Sequence, residues 1–411
     1  MKHFLSLLLI LSFSWAVYGQ TDNKIVIGTE DSINSTILHE QRKIWIHVPD
    51  SYNEGIYARQ RYPVVYLLDG DAHFYSVVGM IHQLSTVNGN TVFPEMIVVG
   101  IPNTDRTRDL TPTHINGAPP LMDSNASRTS GGGERFMTFI EKELMPHIDS
   151  LYPTQPYKIL IGHSFGGLTV INTLINHPDL FNAYIAIDPS MWWDQRKLLK
   201  QSKSVLAMHN YKGKALFMAI ANTMSPGMDT TTVKKDTSAV TAHIRAILEL
   251  NKYLEFYNKN GLNYHSKYYK DDNHGSVPLI AEYDGLHSIF SYYPLKLSFE
   301  DFINMNASTV EKIKKHYQDI SSHFGFKVPV PESFANQFGY QALGMKKNAA
   351  AQAFFEMNIE NYPQSFNAFD SMGDFYAATG DKPKAIENYK KALALKEFPD
   401  TRKKLDDLEG K

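Results

Sequence analysis

The run Lys158-Ile159-Leu160-Ile161-Gly162-His163-Ser164-Phe165-Gly166-Gly167 limits what this chain can fold into more than any other stretch. An apolar segment of strand length ends in Gly-x-Ser-x-Gly, and a helical pattern follows at once. A strand must then turn sharply into a helix with a serine at the bend. The flanks of such a turn approach so closely that Gly162 and Gly166 leave room by having no side chain. Ser164 is held with its hydroxyl off the end of a sheet, and the amide of Phe165 is placed to donate to an oxyanion. Two glycines and a serine at this spacing also arise by accident, so the weight lies in the surrounding pattern.

That pattern alternates strands and helices. Arg42 to Val48 alternates Ile44, Ile46 and Val48 with Lys43, Trp45 and His47, as a half-exposed strand does. Val64 to Leu68 and Met96 to Ile101 are continuous apolar runs, the mark of strands covered on both faces. Ile25 to Ile27, Tyr184 to Ile187, Ala215 to Ile220 and Leu262 to Tyr269 are the other expected strands. Helices are expected over Glu134 to Leu151, after the serine turn as far as His177-Pro178, and over Thr241 to Asn260. The implied fold is an α/β three-layer sandwich around a mostly parallel sheet, with the reacting groups at the carboxyl ends of the strands.

Serine needs a base to become a nucleophile, and imidazole titrates in the right range. His274 lies in the loop after the last expected strand, where this chain order puts the base, with His265 and His287 as alternatives. The acid that orients the base is expected after Ala215 to Ile220, which favours Asp229. Asp188, Asp236 and a Ser–His dyad without an acid stay open. The turn Asp69-Gly70-Asp71 offers a second oxyanion amide, or is a tight turn only. Trp192 and Trp193 follow a strand and read as a wall of an acyl or aryl pocket, or as ordinary core. Asp105 to Gly133 reads as a mobile loop on the rim, from which Arg106 or Arg108 meets an anionic substrate group, or stays solvated.

These motifs resemble the family known as putative esterases, α/β-hydrolases that include enterochelin esterases, S-formylglutathione hydrolases and feruloyl esterase domains. The matching residues are Tyr62-Pro63-Val64-Val65-Tyr66-Leu67-Leu68-Asp69-Gly70, Gly162-His163-Ser164-Phe165-Gly166-Gly167, Pro189-Ser190-Met191-Trp192-Trp193 and His274-Gly275-Ser276-Val277. The likeness spans about Lys43 to Phe290 and is nearest to the exported enterochelin-esterase-like branch. It implies Ser164 as nucleophile, His274 as base, and Gly70, Asp71 and Phe165 as oxyanion donors. Members often carry an acid directly after the strand matching Ala215–Ile220, where this chain has Ala221-Asn222-Thr223-Met224.

The chain has 411 residues, and 41 basic against 43 acidic side chains leave a net charge of -2, so nothing in its charge points to nucleic acid. The absence of cysteine excludes disulfides, thiol catalysis and thiolate metal sites. Neither a metal nor an organic cofactor is expected. Lys2, the apolar Phe4 to Val17 and the small residues before Gln20 read as an export signal over residues 1–19. The expectation is a periplasmic or secreted protein with no membrane span once the signal is removed. The hydrolase unit is then 20–296.

Beyond a connecting helix and linker at 297–331, residues 332–411 read as all-helical repeats. Gly339 and Gly373, Ala351 and Ala385, and Phe355 and Tyr389 are each 34 residues apart, the tetratricopeptide period. Two units are fewer than usually stand alone, so they must dock on the hydrolase unit, on the helix over Ser308 to Phe324, or on a second subunit. They serve a protein partner or a homodimer, or they only stabilise. The functional expectation is a serine esterase acting on a small-molecule or polysaccharide-linked ester. A non-catalytic scaffold and an acyltransferase are the competing readings.

Overall fold

The computed structural model describes residues 24–53, 55–117 and 127–411. The expected export signal lies outside the described residues, as does the centre of the Asp105–Gly133 segment. Eight strands form a single sheet in the order β1-β2-β4-β3-β5-β6-β7-β8. They are β1 (Thr29–Ser35), β2 (Glu40–His47), β3 (Tyr62–Leu68), β4 (Ile97–Ile101), β5 (Thr154–His163), β6 (Ala183–Ile187), β7 (Ala215–Ala221) and β8 (Asn263–Tyr269). β1 with β2 and β2 with β4 are antiparallel; every other pairing is parallel. β5, which carries the serine turn, lies inside the sheet, with Leu160 opposite Tyr66 of β3 and Tyr184 of β6.

The pleat sorts each strand between two cores. Val64, Tyr66, Leu68 and Leu160 face one, and Val65, Leu67, Ile159 and Ile161 face the other. The first core is covered by α3 (Gly133–Phe139), α4 (Met145–Leu151), α5 (Phe165–Asn176), α6 (Trp193–Met208) and α7 (Ala242–Phe256). The second is covered by α1 (Gly70–Ser85) and α8 (Val277–Ile289). A short helix, α2 (Arg106–Leu110), stands on the rim in the segment expected to be a loop.

Two expectations fail locally. Ile25–Ile27 is not a strand; Ile25 is 98% exposed, and the polar Thr29–Ser35 pairs with β2 instead. The single helix expected over Glu134–Leu151 is interrupted, because Pro146 has no N–H for the ladder and a π turn at Ile140–Leu144 precedes it.

The C-terminal third is helical: α9 (Phe299–Asn304), α10 (Ala307–Phe324), α11 (Glu332–Gly344), α12 (Asn348–Asn361), α13 (Phe366–Ala378), α14 (Lys382–Leu395) and α15 (Pro399–Glu409). One contact recurs at the sequence repeat. A Cβ at Gly339 would lie 2.7 Å from the Phe355 ring, and a Cβ at Gly373 would lie 2.4 Å from the Tyr389 ring. Bare glycine lets each helix pair close over an aromatic ring. α10 joins this region to the sheet. Its Ile320 and Phe324 enter the second core, where Phe324 stacks on Tyr157 at 4.6 Å, while Val310 and Ile313 pack among the repeat helices. The buried Glu332 adds a second tie by accepting the Ala58 amide at 2.6 Å and the Ser365 hydroxyl at 2.6 Å.

Candidate active site

Ser164 sits at the β5–α5 bend with φ 60° and ψ −110°, a conformation costing about 1–3 kcal/mol that the surroundings must hold. The Ser164 amide donates to Ile187 O at 3.0 Å, and its carbonyl accepts the Ser190 amide at 3.0 Å. A Cβ at Gly162 would lie 2.5 Å from the Gly166 carbonyl, so Gly162 is required for the closeness inferred from sequence.

His274, after β8, places Nε2 3.1 Å from Ser164 Oγ. Its Nδ1 lies 2.6 Å from Asp188 Oδ2. Because Asp188 is a carboxylate acceptor, Nδ1 carries the proton and the Nε2 lone pair faces the serine. Asp188 follows directly on β6, has φ 41° and is 0% exposed. Its Oδ1 accepts the Ala221 amide at 3.0 Å, and its Oδ2 also accepts His243 Nε2 at 2.8 Å. Burial pushes this carboxyl up, but the hydrogen bonds from His243 and His274 outweigh burial and hold it well below the usual carboxylate range.

Asp229, the acid favoured from sequence, is not brought to His274. Its Oδ1 accepts the amides of Thr231 at 2.8 Å and Thr232 at 2.7 Å, closing its own turn. Asp236 likewise accepts the hydroxyls of Ser238 and Thr241, both at 2.5 Å. Asp188, the earlier alternative, occupies the position behind His274. His265 is exposed on the edge strand and His287 stacks on Tyr283, so neither competes for the base position. His163 packs its ring 4.5 Å from that of His274. Burial, then the like charges of His274 and His73, push His163 down to about 4, so it lies against His274 as a neutral ring.

Gly70 and Asp71 open α1, and Phe165 opens α5, so all three amides belong to first turns whose N–H groups lack helical partners. The two first turns lie together, because a Cβ at Gly166 would be 3.2 Å from Asp69 Oδ2. Gly70 has no room for a side chain: its Cβ would lie 2.6 Å from the Ile101 amide. Arg106, expected to meet substrate, is engaged elsewhere. It grips Asp69 through Nε at 2.6 Å and a second nitrogen at 2.9 Å, and reaches His163 O at 3.2 Å. A buried carboxylate needs a countercharge, and this one braces the α1 turn against the serine bend. Arg108 is likewise paired, with Glu40 and Asp109.

Ser164 and His274 open into a cavity of about 480 Å³ walled by Phe165, Trp192, Ala239, Val240 and Ala242. The two tryptophans part company. Trp192 lines this cavity and a wider groove of about 1280 Å³ beside it, which carries charges of both signs. Trp193 is 2% exposed, donates to Thr113 O at 3.0 Å and props Phe165 edge-on at 5.1 Å. Sequence reasoning did not single out His243. It lies one residue inside α7, and only the folded loop before it brings it to Asp188. Asp188, His243 and His274 are metal-ligand types. Their facing atoms are 2.6 and 2.8 Å apart, whereas zinc ligands stand about 3.3 Å from one another. The spacing suits shared protons.

A doubly covered, mostly parallel sheet, a strained serine at a strand–helix bend and a histidine backed by a buried carboxylate define an α/β-hydrolase. The chain belongs to the family described as "Putative esterase", whose model matches residues 35–276. It is 30% identical over 164 residues to a siderophore enterobactin esterase from Emericella nidulans, covering 37% of this chain and 52% of that protein. It is 34% identical over 160 residues to the ferri-bacillibactin esterase BesA from Bacillus subtilis, covering 36% and 54%. The chain thus spans about half the length of the curated relatives it matches. Among solved structures, an IroE-like serine hydrolase from Shewanella oneidensis is 31% identical with a TM-score of 0.67, covering 81% of this chain and 99% of that one. No helix among the described residues is long and apolar enough to cross a membrane.

Proposed function

We propose that this protein is an exported serine esterase that cleaves a carboxylic ester through an acyl-enzyme, with Ser164, His274 and Asp188 as its triad. The observation that carries this reading is the continuous line of hydrogen bonds: 3.1 Å from Ser164 Oγ to His274 Nε2 and 2.6 Å from His274 Nδ1 to Asp188. Ser164 Oγ attacks the ester carbonyl while its proton passes to His274 Nε2. The carbonyl oxygen becomes an oxyanion facing the amide of Phe165 and those of Gly70 and Asp71. Collapse expels the alcohol, which takes the proton from His274. Water, deprotonated by the same nitrogen, then releases the acid and restores Ser164. Asp188 stays anionic and holds the imidazolium through both halves.

The apolar cavity takes the acyl group, and the groove beyond Trp192 takes the alcohol portion. Relatives named for siderophore esters make such esters the first substrates to try. Residues 1–19 direct export, with Gln20 as the new N-terminus. The C-terminal helix pairs are tetratricopeptide-like units docked through α10, and what remains exposed of them is the surface for a protein partner or a second copy.

A fluorophosphonate probe tests the chemistry. Wild type labels at Ser164 and Ser164→Ala does not; a folded wild type that stays unlabelled ends the enzymatic reading and leaves the scaffold. Rates on p-nitrophenyl, feruloyl, acetyl-sugar and catecholate-siderophore esters then rank the substrate classes.

A further inference from the structure

Asp188 Oδ2 serves two imidazoles at once. His274 approaches at 2.6 Å and His243 at 2.8 Å, their rings 5.1 Å apart and nearly perpendicular at 88°. The other oxygen is fixed by the Ala221 amide at 3.0 Å. Three N–H donors therefore hold a carboxylate that sees no solvent. We infer that His243 is a positioning residue of this site: it anchors Asp188 Oδ2 toward His274 and, by drawing on the same oxygen, sets how strongly Asp188 favours the imidazolium of His274.

The polarity of His243 follows from its partners. Nε2 faces a carboxylate, so it carries the proton, and Nδ1 is left with a lone pair. That Nδ1 is buried and has no hydrogen-bond partner among the described residues, so a proton added there would find no acceptor in them. The ring also lies in the first turn of α7, where the helix dipole opposes positive charge. His243 thus acts as a fixed donor. Its position is set by the loop that contains Asp229, the acid favoured from sequence, and Asp236, one of the alternatives. Asp229 closes one turn of it, and Asp236 grips the hydroxyl of Thr241, the residue that caps α7.

Two N–H groups on one oxygen compete for its charge, so each weakens the other's hold. Removing His243 leaves Asp188 Oδ2 to His274 alone, and the imidazolium form gains. Ser164 then loses its base at a higher pH. The titratable groups facing this pair are His163, whose ring is 4.5 Å from that of His274, with His73 and Asp69 beyond it, and none of these is altered by the change.

The inference rests on the esterase reading, and its test separates the two. The kcat/KM of wild type, His243→Phe and His243→Gln is followed against pH with p-nitrophenyl butyrate. In His243→Phe the acid limb moves up by about one pH unit and the plateau kcat falls about tenfold. His243→Gln keeps a donor at similar reach and returns the limb to the wild-type position. A role in packing alone would lower the plateau without moving the limb. Coincident limbs in His243→Phe and wild type, or equal shifts in the Phe and Gln variants, overturn the inference. If His243→Phe does not fold, His243→Met supplies the donor-free variant. A wild type inactive on every ester would refute the esterase reading, not this one. In that case the low-field proton resonance of His274 Nδ1 decides: it moves downfield in the donor-free variant, and an unmoved resonance refutes the role.

Discussion

Replacing Asp188 by asparagine keeps the shape of the side chain and removes the charge on which the proposed chemistry depends. The carboxylate accepts three N–H groups, from Ala221, His243 and His274. An amide offers one acceptor oxygen. If that oxygen stays on Ala221, the amide N–H₂ faces His274 Nδ1, and the imidazole must turn its lone pair toward it. Nε2 then carries the proton and cannot take another from Ser164. A hydrogen bond to a charged partner contributes about 1.5–3 kcal/mol, and the wrong tautomer adds to its loss. A total near 4 kcal/mol corresponds to about a 10³-fold drop in kcat. The assay is hydrolysis of p-nitrophenyl butyrate, with circular dichroism to confirm folding. Asp229→Asn is the control, because that carboxylate serves its own turn, and its kcat stays within about twofold of wild type. A folded Asp188→Asn enzyme retaining a tenth or more of the activity, or an Asp229→Asn enzyme losing most of it, would refute the assignment of the acid.

Other perturbations follow from the same geometry. Arg106→Ala leaves the Asp69 carboxylate without its guanidinium partner beside the proposed oxyanion turn, so kcat falls for neutral and anionic esters alike; a loss confined to the KM of anionic esters would instead place Arg106 on the substrate. His163 is held down to about 4. Its folded value is depressed, so the unfolded chain binds its proton first, and stability is full above the ordinary histidine value near 6.5 and declines as pH falls toward 4. His163→Asn flattens that part of the curve of unfolding free energy against pH, and an unchanged slope would sink the account. Trp192→Ala raises KM for aryl esters with little change in stability, whereas Trp193→Ala destabilises by about 3–5 kcal/mol because that ring is core, which chemical denaturation measures. Gly373→Ala drives a methyl into the Tyr389 ring and destabilises the helical region by about 1–3 kcal/mol, read as an earlier calorimetric transition.

The parts of this molecule that the sequence announced are those whose cause is local. β3 and β5 read as buried strands because covering both faces leaves no polar alternation to see. The serine bend read as one because only glycines admit it. The 34-residue spacing of Gly339 from Gly373 and of Phe355 from Tyr389 was visible because each glycine lies against its aromatic ring. β1 was invisible for the opposite reason. Its residues are mostly polar, and it is a strand only because β2 offers an edge.

The acid illustrates the harder case. Asp188 and Asp229 both follow strands, and nothing near Asp188 tells that a distant histidine will face it. That outcome depends on where the β8–α8 turn aims His274. A local signal did argue against Asp229: threonines two and three positions on are the pattern by which an aspartate closes its own turn, and a carboxylate so engaged is held to its own loop. Arg106 follows the same logic in reverse. An arginine in a polar segment looks free until the fold buries a carboxylate beside it, and the loss of that freedom makes it a brace for the oxyanion turn. Residues such as Arg106, whose polar atoms are spent on their neighbours away from the cavity, build a site, and in the proposed reading the hydrogen-bonded pair that faces the cavity, Ser164 Oγ and His274 Nε2, performs its chemistry.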